Sequence, residues 1–200
     1  LARLRLKCPL IVALPQVAYE DETPALRSLI AQAGSAGLRV EVNSWGGWWL
    51  TRQAGLRLEA GPGLGVLNGL AARALGERGC EAVHVAIEAD REQLEDVLEN
   101  SPLPCSVLAF GRPALMTTRV ELPPQYGSGV LEDRRAVRLR AQRESGSWAL
   151  RPVAPMDARG QLPAGAAYEV IDLVGSRDLR GDWTGASRSE LRFNLERKLM

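Results

Sequence analysis

The sequence predicts an α/β fold of parallel βα repeats, a parallel sheet or part of a barrel, with a small antiparallel β-hairpin insertion near the C-terminus. Three observations predict it. Five short apolar runs alternate with helical segments over the first 110 or so residues, at spacings of about 20 to 30 residues, as βα units require. The first run, Leu10-Ile11-Val12-Ala13-Leu14, has no polar residue and reads as a strand buried on both faces. Beyond Pro123-Pro124 the pattern changes to alternation with a period of two around a Ser145-Gly146-Ser147 turn, the signature of an antiparallel hairpin.

The elements follow in order. After the first strand, Asp21-Glu22-Thr23-Pro24 places acids and proline at a helix start, and Leu26, Leu29, Ile30 and Ala33 carry its apolar stripe as far as Gly34 and Gly37. Leu38 to Val42 is the second strand, Asn43-Ser44 and a short tryptophan-rich helix follow, and Leu56 to Ala60 is the third strand. Gly61-Pro62-Gly63 is a loop before a helix over Val66 to Leu75. Ala82 to Ile87 is the fourth strand. Asp90 caps a helix over Arg91 to Asn100, with Leu94, Val97 and Leu98 inside. Ser106 to Phe110 is the fifth strand and stops at Gly111-Arg112. Ala136 to Arg140 and Trp148 to Val153 form the hairpin, Pro155 to Gly165 is irregular, Tyr168 to Val174 is a last strand, and Ser189 to Met200 is a polar terminal helix. No self-similar motif of a solenoid is seen. This reading divides the chain into a βα-repeat, half-barrel-like domain over 1–122 and a region over 123–200 that holds the hairpin, the last strand and the terminal helix.

Composition narrows the function. A hydrophobic content of 46% supports a true core, and 25 Lys and Arg against 24 Asp and Glu leave a net charge of +1, so no global basic field draws nucleic acid. The arginines of the hairpin (Arg134, Arg135, Arg138, Arg140, Arg143) are interspersed with Glu132, Asp133 and Glu144, as on a solvated face rather than an RNA-binding ribbon. Cys8, Cys80 and Cys105 are isolated and lack CxxC spacing, which predicts buried free thiols in a reducing cytoplasm, no metal site and no cofactor. No run reaches the length of a membrane span. The opening LARLRLKCPLIVAL faintly mimics a signal peptide, but Pro15 ends its short apolar run without a small-residue cleavage site. A chain that starts at Leu1 rather than Met is expected to be cut from a longer protein or processed. Nothing in the sequence fixes an oligomeric state.

Candidate site residues cluster where strands end, since ligands of barrels and open α/β sheets bind beyond the C-terminal ends of parallel strands. Arg112, just past the fifth strand, carries a fork suited to a carboxylate or phosphate, or to a nearby acid of its own chain. Glu88 follows the fourth strand, where it can act as a base or ligand or simply sit at a helix start. Asn43 and Asn68 can bond a ligand or form turns. His84 is the only histidine, so any serine or cysteine triad must use it; its place in AVHVAI, sharing a face with Ala82 and Ala86, also suits a structural sheet histidine. Trp48, with Trp45 and Trp49, can stack a ring or line a core. The catalytic candidates are thus Glu88, Arg112 and His84, and the ligand-binding candidates are Asn43, Asn68, Arg112 and Trp48. Gly61-Pro62-Gly63-Leu64-Gly65 lacks the Lys-Ser/Thr of a phosphate loop and reads as a tight turn.

Five segments in this order, Leu10 to Pro15 (LIVALP), Gly65 to Leu70 (GVLNGL), Ala86-Ile87-Glu88, Phe110 to Met116 (FGRPALM) and Leu131-Glu132-Asp133-Arg134, resemble the bacterial collagenase-like peptidase family (family U-32). The resemblance covers about residues 8 to 140. It implies part of a TIM-like barrel whose N-terminal half precedes the matched segment, a cytoplasmic bacterial protein, and peptide hydrolysis. Some relatives act instead in RNA or quinone hydroxylation through an iron–sulfur cluster held by four cysteines. The first of those cysteines corresponds to Glu121 here, and no cysteine follows it; the family's Ser-Pro-Glu-Leu is Ala86-Ile87-Glu88-Ala89, and a family glutamate is Ser106. Three readings stand on these residues: a peptidase fragment, a non-catalytic barrel-derived binding module, and a relative of the hydroxylation members that has lost its cluster. The expected partner is a peptide or small carboxylate-bearing ligand.

Overall fold

Five parallel strands in chain order organise the first part of the molecule. The computed structural model describes residues 8–123, 126, 129–134, 136–144, 146–174, 176 and 178–184. These fall into two units, one of residues 8–107 and 163–168, the other of residues 108–162 and 169–184.

In the first unit, β1 (Ile11–Ala13), β2 (Arg39–Val42), β3 (Leu58–Ala60), β4 (Cys80–His84) and the start of β5 (Cys105–Gly111) pair in sequence order, every neighbouring pair parallel. Between them lie α1 (Thr23–Ser35), α2 (Trp45–Gln53), α3 (Gly69–Glu77) and α4 (Arg91–Asn100). The expected order and direction of the five strands are met. The order never reverses, so right-handed crossovers carry all four helices to one face of the sheet. That face is apolar: Val40, Val42, Leu58 and Val83 are fully buried, each contributing about 1.5–3 kcal/mol of hydrophobic stabilisation. The helices answer with buried stripes at helical spacing, Leu26, Ile30 and Ala33 on α1, Leu50 on α2, Ala72 and Leu75 on α3, Leu94 and Val97 on α4.

Caps set the helix starts. Ser44 accepts from the Gly47 amide at 3.1 Å. Asp90 and Gln93 form a reciprocal capping box, as expected of Asp90. The helix expected from Val66 begins later, at Gly69, because the Asn68 carbonyl oxygen of the side chain accepts from the Ala71 amide and fixes the N-terminus there. Val66 instead makes a single parallel bridge to Val85.

The second unit holds the rest of β5 and a four-stranded antiparallel sheet in the order β6 (Met116–Thr118), β9 (Ser147–Pro152), β8 (Arg138–Glu144), β7 (Val130–Glu132). The expected hairpin is β8–β9, and the sheet is larger than the sequence suggests because β6 and β7 are three-residue strands with no readable period. β10 (Met156–Asp157), in a stretch expected to be irregular, pairs antiparallel with β5, and β11 (Tyr168–Asp172) also pairs with β5. Gly111 lies at φ 148° with its Cα against the Asp172 backbone; a Cβ there would stand 2.6 Å from the Asp172 carbonyl oxygen. A short helix, α5 (Leu179–Thr184), was not expected; its Trp183 meets buried Phe110 edge-on at 5.7 Å, and the Arg159 guanidinium stacks over both rings. The expected terminal helix over 189–200 lies outside the described residues. Among the described residues no helix is long and apolar enough to cross a membrane.

Candidate functional site

The face of the parallel sheet turned away from the helices is charged. Residues 38–42 (LRVEV) and 56–60 (LRLEA) repeat one pattern, and the register Val40↔Leu58, Glu41↔Glu59 aligns the two copies. Arginine therefore stands beside arginine and glutamate beside glutamate, an unfavourable arrangement if each charge met only its direct neighbour. The side chains resolve it diagonally. Arg39 on β2 pairs with Glu59 on β3, and Arg57 on β3 pairs with Glu81 on β4 at 2.7 Å. Each arginine serves the glutamate of the following strand.

Glu41 is the acid this scheme leaves over. Its arginine would come from β1, two residues before Ala13, and Ile11 occupies that place. Among the described residues no cation pairs with Glu41. Its Oε1 accepts from the Asn43 amide nitrogen at 2.8 Å. Burial pushes the carboxyl above the usual carboxylate range; the Asn43 hydrogen bond opposes the rise and the charge of Glu59 adds to it. On β1 the residue in register with Glu41 is the exposed Ala13, which leaves the carboxylate's flank uncovered.

Asn43 itself is a bracket. Only 5% exposed, it donates to the Leu14 carbonyl at 2.9 Å and to Glu41, and its side-chain oxygen accepts from the Gly63 amide at 3.2 Å. It thus ties the ends of β1 and β2 to the loop after β3. Gly61 and Gly63 are required by that bracket: a Cβ on Gly61 would overlap the Asn43 amide oxygen and stand 2.8 Å from Glu41 Oε1, and one on Gly63 would overlap the Asn43 carbonyl oxygen. The glycine-rich stretch is a tight turn folded around Asn43.

His84 reaches the same face through an irregularity. Leu58 pairs with Cys80, yet Ala60 pairs with Val83, so two residues of β4 oppose one of β3. Val83 and its partner Cys105 face the helices, where the Cys105 thiol lies 3.9 Å from the α4 carbonyl of Val97. His84 then points the other way, onto the charged face, beside Ser106 on β5 and, one residue past the Ala60↔Val83 pair, across from Gly61 in the loop after β3. It is 6% exposed and its Nε2 meets no partner among the described residues. Burial depresses its pKa to about 4, so the ring is neutral at pH 7. The Glu41 carboxyl and the Asn43 amide thus lie over Gly61, and the register places His84 across from Gly61 on the same face, at the C-terminal ends of β2 to β4.

The other sequence candidates lie elsewhere. Asn68 is the exposed cap of α3. Glu88 sits exposed in the turn before α4. Trp48 is on the helix side, where its ring meets Trp45 edge-on at 6.0 Å and the Arg52 guanidinium at 5.9 Å. Among the described residues its buried indole N–H meets no hydrogen-bond partner. Burial drives the Cys80 thiol up to about 11 against the smaller opposing effects of Trp48 and Arg52, which makes the thiol unreactive.

Arg112 belongs to the second unit, and its fork is engaged there. Nη1 and Nη2 donate to the two Asp182 carboxylate oxygens at 2.6 and 2.8 Å, and Nε donates to the Val153 carbonyl at 3.0 Å. Ser176 also donates to Asp182. Arg112 pins α5 in place. Arg112→Ala is expected to destabilise this unit by about 1.5–3 kcal/mol, read as a lower denaturation midpoint. The Arg112 guanidinium holds the Asp182 carboxyl down at about 2, so this contribution is present above about pH 4 and is lost as pH falls toward 2. An unchanged midpoint in Arg112→Ala at neutral pH would contradict the pinning role.

Compared with protein-family models, curated proteins and solved structures, the chain matches none.

The cysteines do not fit a four-thiolate cluster. The chain has three, Cys80 and Cys105 are buried in strands and Cys8 is exposed. Glu121 is held by Arg143 at 2.7 and 3.0 Å and by the Trp148 indole N–H at 3.3 Å.

Glu41 escaped the sequence reading, and a signal for it was present. The repeated Leu-Arg-x-Glu of the second and third strands marks one sheet face as charged, and the apolar first strand shows that the ladder has an unpaired end.

Proposed function

We propose that this chain is a peptide-binding module built on part of a TIM-like barrel of the collagenase-like peptidase type, with its ligand held on the helix-free face at the C-terminal ends of β2 to β4. The observation that carries the reading is the presence on that one face of an uncompensated carboxylate, Glu41, and of a buried histidine, His84, whose Nε2 has no partner among the described residues. Chain-order parallel pairing without a reversal supports a barrel rather than an open doubly wound sheet. Binding is favoured over hydrolysis because, among the described residues, no serine, threonine or cysteine hydrogen-bonds to His84 to make an activated nucleophile. The ordered segments resembling the peptidase family supply the substrate class.

Backbone-amide NMR with a mixture of free and end-blocked tripeptides tests it. Saturable shifts grouped at residues 41–43, 60–63 and 84 are expected, with no release of new amino termini. Shifts that are absent or confined to other residues overturn the proposal, and peptide cleavage abolished by His84→Ala would replace it with the peptidase reading.

A further inference from the structure

We infer that the site selects a cationic group: Glu41 receives a primary ammonium, such as the free N-terminus of a peptide, in the place where the ladder lacks an arginine. The inference rests on the binding site proposed above and assigns its ligand chemistry. A carboxylate-bearing ligand was the sequence-based expectation, with Arg112 as its receptor. The Arg112 fork is already bidentate on Asp182, whereas the polar end of the sheet presents a carboxylate.

Four features converge on this. Arg39 and Arg57 are committed to Glu59 and Glu81, so neither neutralises Glu41. Ile11 stands where the ladder would need the next arginine, and the Ala13 methyl beside Glu41 leaves room for an incoming group. Gly61, across from His84 in register, has no side chain, and Glu41 Oε1 lies over it. His84, more than nine-tenths buried on the same face, has an enclosed Nε2 that meets no partner among the described residues, and a neutral ring. A neutral imidazole does not repel a cation, and an unprotonated Nε2 accepts one of the three N–H bonds of an ammonium. Asn43 holds Glu41 Oε1 from the protein side and leaves Oε2 for the ligand. A guest that supplies the missing positive charge completes the alternation that the two arginines begin.

The test uses three probes against the full chain, tri-alanine amide (ammonium, no carboxylate), N-acetyl-tri-alanine (carboxylate, no ammonium) and N-acetyl-tri-alanine amide (neither). His84 is the only histidine, so its ring proton is a single reporter. Tri-alanine amide is expected to shift it saturably and the two acetylated probes are not. Glu41→Gln keeps an acceptor for Asn43 while removing the charge; it should weaken tri-alanine amide by about tenfold or more, the usual consequence of losing a charged hydrogen-bond partner. Ile11→Arg keeps Glu41 but supplies an internal cation, and should weaken the same probe while leaving the dispersed amide spectrum of a folded chain. Equal binding of tri-alanine amide and its acetylated form overturns the ammonium assignment but leaves peptide binding standing. Binding of the carboxylate probe alone also overturns it, and failure of all three probes overturns both readings.

Discussion

Gly63→Ala is expected to destabilise the first unit by about 2–4 kcal/mol, the sum of overpacking and a lost part-buried hydrogen bond. The new methyl would overlap the Asn43 carbonyl oxygen, a backbone atom held by β2, and Gly63 would have to move away with the amide that now donates to Asn43 Oδ1. That movement opens the bracket joining Leu14, Glu41 and Gly63. Gly46→Ala is the matched control: it lies exposed in α2 with nothing within 4 Å of a new Cβ, and alanine there should be neutral or stabilise by up to about 1 kcal/mol. Hydrogen exchange of the Val40 and Val83 amides measures both effects within the unit. A cost for Gly63→Ala as small as that of the control would show that the loop is not folded around Asn43.

The second large effect is acid destabilisation through His84. Its folded pKa, about 4, lies below the ordinary 6.5, so the unfolded chain takes up the proton first. The stability tied to the neutral ring is complete above pH 6.5 and is lost as pH falls toward 4, amounting to about 3 kcal/mol. Glu41 works against this, since a carboxyl raised by burial gains a proton more readily when folded. Glu81, Asp157 and Asp182 are all held low by arginines, so their losses begin only as pH falls through the ordinary carboxylate range, where the unfolded chain takes up protons. The interval between pH 6.5 and 4.5 therefore belongs mainly to His84. Denaturation midpoints should fall across it in the native chain and stay nearly level in His84→Gln. Parallel pH profiles for the two proteins would contradict the burial of the ring.

The parts of the fold legible in the sequence are those set by local rules. Apolar runs, the acids and proline before α1, and Asp90 before α4 gave the order of strands and helices, because burial and capping act over a few residues. The hairpin was legible for the same reason. β6, β7 and β10 were not, since strands of two or three residues are held by their partners rather than by any pattern of their own. At the site, Asn43 was visible as a polar residue ending a strand, but its use as a bracket depends on Leu14 and Gly63, both distant in sequence. His84 was visible as the only histidine. Its face was not, because unbroken alternation groups it with Ala82, and the bulge opposite Glu59 reverses the side on which it emerges. Arg112 was singled out for its place after a strand, while Asp182, its partner, lies 70 residues further on in a helix the sequence did not announce.

The central claim is that the helix-free face carries a half-buried polar site with His84 inside it. The most direct measurement is the NMR titration of the His84 ring, the single imidazole signal of the chain. The ring is expected to stay neutral through pH 5 and to take its proton with a midpoint of about 4. A midpoint close to the ordinary 6.5 would place the ring in water and contradict the site.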